Sequence, residues 1–216
     1  MRRSHEPEFK FLKHLSAAIA MAFVTPALLA AAPAPSPDLA AVQANLQAVQ
    51  TMTADFEQTN ARGQIVSGTI QLKKPGKVRF QYQKGVPLLV VGDGKALTMI
   101  DYSVKQVSRW PIGNTPLALL IDPSKDVTRY ASIIPSGRPD IVMVAGQDRK
   151  HREYGSITVS FRRSPGAPGG LMLDGWQVLD AQNNRTTVRL SNQRFNVPVD
   201  DSAFQWTDPR PKGPRH

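Results

Sequence analysis

The sequence predicts a mainly β protein: an antiparallel meander with one apolar face, over which two helices lie. Three observations lead there. Between Ser67 and Tyr82, Ile70 and Leu72 alternate with Thr69, Gln71 and Lys73; beyond Pro75-Gly76, Val78, Phe80 and Tyr82 alternate with Lys77, Arg79 and Gln81. A period of two belongs to strands with one buried face, here joined by a turn. Further short apolar segments recur about every eight to twelve residues between turn residues, as in a meander. Finally, Leu39, Val42, Leu46 and Val49 follow helical spacing, and Leu117 to Ile121 has no polar face at all.

From the N-terminus, residues 1–34 read as a signal peptide. Arg2, Arg3, Lys10 and Lys13 precede an apolar run from Leu15 to Leu29, and the small residues Ala30, Ala31, Ala32 and Ala34 follow. These are the charged, hydrophobic and cleavage regions of an export signal. The run is short and alanine-rich for a membrane span. Residues 35–208 are expected to form one domain, because 216 residues that are 41% hydrophobic can bury one sizeable core. Pro209 to His216 is a basic, Pro-containing tail expected to be disordered.

Ser36-Pro37-Asp38 starts the first helix, with Ser36 as cap, Pro37 at the first helical position and Asp38 in the first turn. Its other face, Gln43, Asn45, Gln47 and Gln50, is polar but uncharged. Alternation begins at Thr53 and runs to Thr59, and Asn60 to Gly63 turns the chain into the central pair. Pro75-Gly76 suits a type II turn. Pro87 to Val91 is apolar throughout and reads as a strand covered on both faces. Gly92 to Lys95 is a tight turn into Leu97–Ile100, and Asp101 to Lys105 turns into Gln106–Trp110. Asn114 and Pro116 open the polar-free helix, which must be buried or offer an apolar surface. Asp122-Pro123 caps a second short helix, Ser124 to Ala131. Strands follow at Asp140–Ala145, Ser156–Arg162, Leu173–Leu179 and Thr186–Phe195, with Asn183-Asn184 as a two-residue hairpin turn.

Composition narrows the function. An exported chain with no cysteine is stable on its core alone, which suits a bacterial periplasmic protein. Positions 1–32 hold four basic and two acidic residues; without them 23 basic and 15 acidic side chains remain, a charge of +8. Nucleic acid is not an expected partner outside the cell, whereas anionic lipid surfaces and acidic proteins are. Catalysis is not signalled. Past the leader only His151 and His216 remain, too few for a zinc site, and no cofactor or metal is expected. No Gly-x-Ser-x-Gly or Gly-x-x-x-x-Gly-Lys occurs, and Asp101, Asp122 and Asp126 have turn or capping roles. A curved sheet with an apolar concave face under two helices is instead a cavity with a lid, suited to a hydrocarbon ligand; an ordinary filled core is the alternative.

Phe56-x-Gln58, the Gly68…Lys74-Pro75 strand ending, Val78-Arg79-Phe80, Asp93-Gly94-Lys95, Asp101-Tyr102…Gln106-Val107 and Asn114-Thr115-Pro116-Leu117 stand in an order that resembles the LolA family. The resemblance covers residues 38–205 and is specific through 54–121. It implies an incomplete, unclosed antiparallel β-barrel closed by a helical lid, and a periplasmic carrier of outer-membrane lipoproteins. Such carriers act as monomers without catalytic residues. They receive cargo from an inner-membrane ABC transporter and pass it to an outer-membrane acceptor or the membrane itself. The residues that would form the acyl cavity and lid are Leu46, Val49, Ile70, Leu72, Lys74, Val78, Phe80, Leu117, Leu119 and Leu120. A lipid-sensing regulatory domain on the same fold, or a carrier of another acylated molecule, is the alternative, and a hydrolase is disfavoured.

Lys74 is the departure to note. The family has arginine before this proline, reaching into the cavity to hold the lid. Lysine keeps the charge but lacks the planar five-donor fork. Its parity with Ile70 and Leu72 aims it at the apolar face; a strand-end lysine snorkelling to solvent is the competing reading. The aromatic usual after Asp-Gly-Lys-x-Leu is also replaced, by Thr98.

Overall fold

The computed structural model describes residues 36–114, 118–122, 127, 131–147 and 155–211. The proposed signal peptide, Leu117, most of the 124–131 segment, the His151 loop and the end of the tail lie outside them.

The first helix, α1, spans Pro37–Ala48. Its start follows the expectation: the Ser36 hydroxyl accepts from the Leu39 N–H at 3.2 Å, and Asp38 sits in the favourable first turn. Leu39, Val42, Leu46 and Val49 are all buried, an upper limit of about 6–12 kcal/mol for four aliphatic side chains. Asn45 breaks the predicted pattern. Placed by sequence on the polar face, it is 2% exposed.

The strands are β1 (Thr51–Thr59), β2 (Ile65–Lys73), β3 (Lys77–Tyr82), β4 (Leu88–Asp93), β5 (Ala96–Asp101), β6 (Gln106–Pro111), β7 (Ala131–Ile134), β8 (Ile141–Gln147), β9 (Ser156–Arg163), β10 (Leu171–Leu179) and β11 (Arg185–Phe195). A four-residue helix, α2 (Ala118–Ile121), lies between β6 and β7. The strands form one sheet in the order β6-β5-β4-β3-β2-β1-β11-β10-β9-β8-β7, antiparallel throughout. Only β1 and β11 pair across a long stretch of chain, with Met52 opposite Phe195 and Thr59 opposite Thr187. Among the described residues β6 and β7 remain as separate edges, so the barrel is unclosed, as expected.

Two local expectations are corrected. Ala131, read as the end of a helix, opens β7, where it pairs with Gly146; the tertiary offer of the β8 edge outweighs helix propensity. At the β2–β3 connection Gly76 takes a positive φ of 70°, the conformation that the Pro75-Gly76 pair allows. The β10–β11 loop is five residues long, not two. Asn183 N–H bonds the Asp180 carbonyl at 3.0 Å, Asn183 takes a φ of 62°, and the Asp180 carboxylate accepts the N–H groups of Gln182 and Asn184. The asparagine is where left-handed backbone is needed, but after a turn rather than inside one.

The sheet buries both faces along β4. Leu88 and Val90 pack against the inner core beneath α1, while Leu89 and Val91 meet Ile100 and Phe204 on the outer side. The outer cover is a short 3-10 turn, Asp201–Phe204. Arg79 donates to the carbonyls of Ala203 and Gln205 at 3.1 and 2.9 Å, and Lys73 and Lys77 share Asp201 at 2.8 and 3.0 Å.

Candidate functional site

The inner face of β1–β3 and β9–β11 is apolar because every second residue points inward, and α1 lies against it. Phe56 stacks edge-on against Phe80 and Tyr82 at 5.5 and 5.2 Å, and Phe80 against Trp176 at 6.1 Å. The Tyr82 hydroxyl donates to Gln58 at 2.9 Å, which satisfies the polar tip of an otherwise apolar wall.

Beside this cluster a cavity of about 30 Å³ opens between α1, α2 and the sheet. Of the residues expected there, Leu46, Val49, Ile70, Leu72, Lys74, Val78 and Leu120 line it. Phe80 is on the same inner face but belongs to the aromatic cluster. Leu117 lies outside the described residues, as does the side chain of Leu119. The cavity also takes in Asn45, Met52, Ile121, Leu173, Trp176 and Phe195. Met52 continues the parity of Ala54 and Phe56 and could have been found by extending the alternation back two residues. Leu173 and Trp176 have opposite parity, yet both face inward, because an extra residue at Asp174–Gly175 shifts the β10–β9 register. Phe195 is turned inward by a similar shift on β11, where Asn192 takes a φ of 54°.

Lys74 is the charged residue of this lining. Its Nζ donates to the Leu46 carbonyl in the last turn of α1. That carbonyl is free to accept, because the Gln50 N–H that would continue the helix bonds the Asn196 Oδ1 instead, at 2.9 Å. The other carbonyls of the turn are also received: Asn45 by Val49 N–H, Gln47 by the Gln50 side chain, and Ala48 by Asn196 Nδ2 at 3.0 Å. A cation at the negative end of a helix is favourable, while burial pushes the Lys74 ammonium down to about 8. Its backbone N–H bonds the Gln50 carbonyl at 2.9 Å, and the Gly76 N–H bonds the Ile121 carbonyl of α2 at 2.9 Å. The β2–β3 turn therefore grips the C-terminal ends of both helices. Gly76 is required there, since a Cβ would come within 2.7 Å of Gly94 Cα in the neighbouring β4–β5 turn.

On another side of its last turn, α1 is held by Asn45, whose Nδ2 donates to the carbonyls of Pro168 at 2.6 Å and Leu171 at 2.7 Å. On its polar side Gln43 accepts the Val127 N–H at 3.0 Å. A larger groove of about 730 Å³ runs over Asp55, Glu57, Thr69, Gln81 and Arg189 on the opposite face of the sheet. Its charged lining offers hydrocarbon little gain, so the site is placed under the helices. No group of carboxylates and histidines among the described residues could hold a metal ion. No helix among them is long and apolar enough to cross a membrane.

The family model described as outer membrane lipoprotein carrier protein LolA matches residues 47–207. An outer-membrane lipoprotein carrier protein of Chromobacterium violaceum is 29% identical over 189 residues, covering 83% of this chain and 88% of its own. That of Dechloromonas aromatica is 27% identical over 173 residues, covering 76% and 80%. Among solved structures, a LolA superfamily protein from Nitrosomonas europaea overlays with a TM-score of 0.44 at 10% identity, covering 81% of this chain and 99% of its own.

Proposed function

The chain belongs to the LolA family of outer membrane lipoprotein carrier proteins, and from that premise we infer that it carries lipoproteins through the periplasm with their acyl chains held between sheet and helices. The observation that supports this most is the apolar inner face under α1 and α2, with a single cation bonded to a helix end. One acyl chain of about fifteen CH₂ groups gains roughly 12 kcal/mol in a membrane, so a multiply acylated protein does not leave unaided. An inner-membrane ABC transporter supplies that work, residues 1–34 direct export, and an outer-membrane acceptor or the membrane itself receives the cargo. The carrier need only shield hydrocarbon, which calls for no catalytic group.

Loading requires movement. A cavity of about 30 Å³ must grow towards the roughly 300–1,000 Å³ typical of ligand pockets. The helices lift from the sheet, and the Lys74–Leu46 and Gly76–Ile121 bonds are the ones that must open. Native mass spectrometry of the protein isolated from its own periplasm tests the reading. Bound acylated protein is expected; free lipid alone, or no bound species, overturns it.

The lysine makes loading pH-dependent, and the sign follows from its burial. With the helices docked its ammonium titrates near 8; with them lifted it is solvated and returns towards 10.5. Below the lower value both forms are charged, and the closed form bears the full cost of the buried charge. Raising pH through the window from about 8 to 10.5 removes that cost and favours closure. Acyl-probe affinity should therefore fall several-fold across this window in the wild type and stay flat in Lys74→Leu. An unchanged wild-type affinity would show that the lysine does not move on loading.

A further inference from the structure

Because the sheet is antiparallel throughout, the β1–β2, β3–β4, β5–β6 and β10–β11 loops all emerge at one end of the strands. Each carries an exposed cation: Arg62, Lys84, Lys105 and, at the start of β11, Arg185. None of the four is in an ion pair among the described residues, whereas towards the other end Lys73 and Lys77 hold Asp201, Arg109 holds Asp93 and Arg163 holds Asp38. Among the described residues, the carboxylates flanking these loops, Asp101 and Asp180, accept backbone N–H groups of their own turns, and exposed Glu57 stands two residues further down β1. Among the described residues, three of the four exposed large apolar side chains also sit here: Val104 at 66%, Ile65 at 59% and Tyr102 at 38%.

We propose that this loop end is a docking surface for an anionic lipid membrane. The charges supply attraction to lipid headgroups, and Val104 and Ile65 are short apolar tips that can enter the interfacial region. A protein partner is the less suitable occupant. The tips stand on different hairpins with β3 and β4 between them, and a protein interface needs a contiguous, shape-matched patch. A fluid lipid surface accepts separated tips. Lys74 and the C-terminal ends of both helices lie at the opposite end, so docking leaves them free to meet a protein partner. This surface does not depend on what the cavity carries.

The test is co-sedimentation of the mature protein with vesicles of equal parts phosphatidylglycerol and phosphatidylcholine, against phosphatidylcholine alone. Binding to the anionic vesicles only, weakened by salt, is expected. Lys84→Gln with Lys105→Gln should lower it about thirtyfold, at the usual gain per cation near an anionic surface. Lys95→Gln with Arg194→Gln, a charge-matched pair near the other end, should lower it much less. Val104→Trp should shift its emission to the blue on the anionic vesicles. Absent vesicle binding, which is also the outcome for a surface that recognises only acidic protein, overturns the proposal. So do equal losses in the two charge pairs, or an unshifted Val104→Trp spectrum.

Discussion

Lys74→Leu is expected to bind an acyl probe roughly tenfold to a hundredfold more tightly than the wild type, and to release it correspondingly more slowly. Three effects set the sign. In the closed form the substitution leaves the Leu46 carbonyl without its donor, which costs about 1–3 kcal/mol. In the loaded form a leucine adds apolar wall worth about 1.5–3 kcal/mol. Against these, removal of a buried ammonium relieves the closed form of a desolvation cost of similar size to one of them. Two effects favour loading and one favours closure, so the net is about 1.5–3 kcal/mol towards the loaded state. Lys74→Arg should act the other way and weaken binding a few-fold, because a guanidinium can reach several carbonyls at once. Affinity and off-rate for the three proteins, each confirmed folded by circular dichroism, decide the matter. Equality of Lys74→Leu with wild type in both quantities would mean the lysine is only a strand-end side chain.

Asn45→Ala is expected to cost about 1.5–3 kcal/mol of stability, seen as a fall in Tm of roughly 4–12 °C. One Nδ2 group donates to two carbonyls, those of Pro168 and Leu171; with alanine Pro168 keeps the Leu171 N–H, while the buried contact to the Leu171 carbonyl is lost outright. Water cannot readily replace the amide, because Gly169 brings the 168–170 turn so close to α1 that a Cβ there would lie 2.6 Å from Asn45 N. The same variant should release an acyl probe faster, since α1 loses its anchor to the 168–171 turn while its hold on Lys74 remains. A melting temperature within a degree or two of the wild type would show that the Leu171 carbonyl finds another partner.

Most of the strands are legible because burial on one face imposes a period of two that local sequence must obey. Where an extra residue enters a strand, that legibility ends. The irregularities at Asp174–Gly175 and Asn192 invert the parity along β10 and β11, and this hides the inward aim of Trp176 and Phe195 from an argument by alternation. Asn45 escapes for a different reason. Its position on the helix is polar by residue type, and only the close approach of the 168–171 turn makes it a buried clamp. Asn196 has no local signal at all beyond being a residue that tolerates a positive φ.

By itself, the sequence determined the capped and buried α1, the β2–β3 alternation with Lys74 on the inner side, and the family to which the chain belongs. These rest on periodicity, capping chemistry and ordered motifs, all properties of neighbouring residues. Only the tertiary structure decided that β11 pairs with β1, that Phe204 covers the outer side of β4, and that Lys74 meets the Leu46 carbonyl. These contacts join residues 28 to over a hundred positions apart in the chain. Long-range pairing is chosen by which surfaces the whole fold leaves unburied and which carbonyls it leaves without a donor, and no local pattern contains that choice.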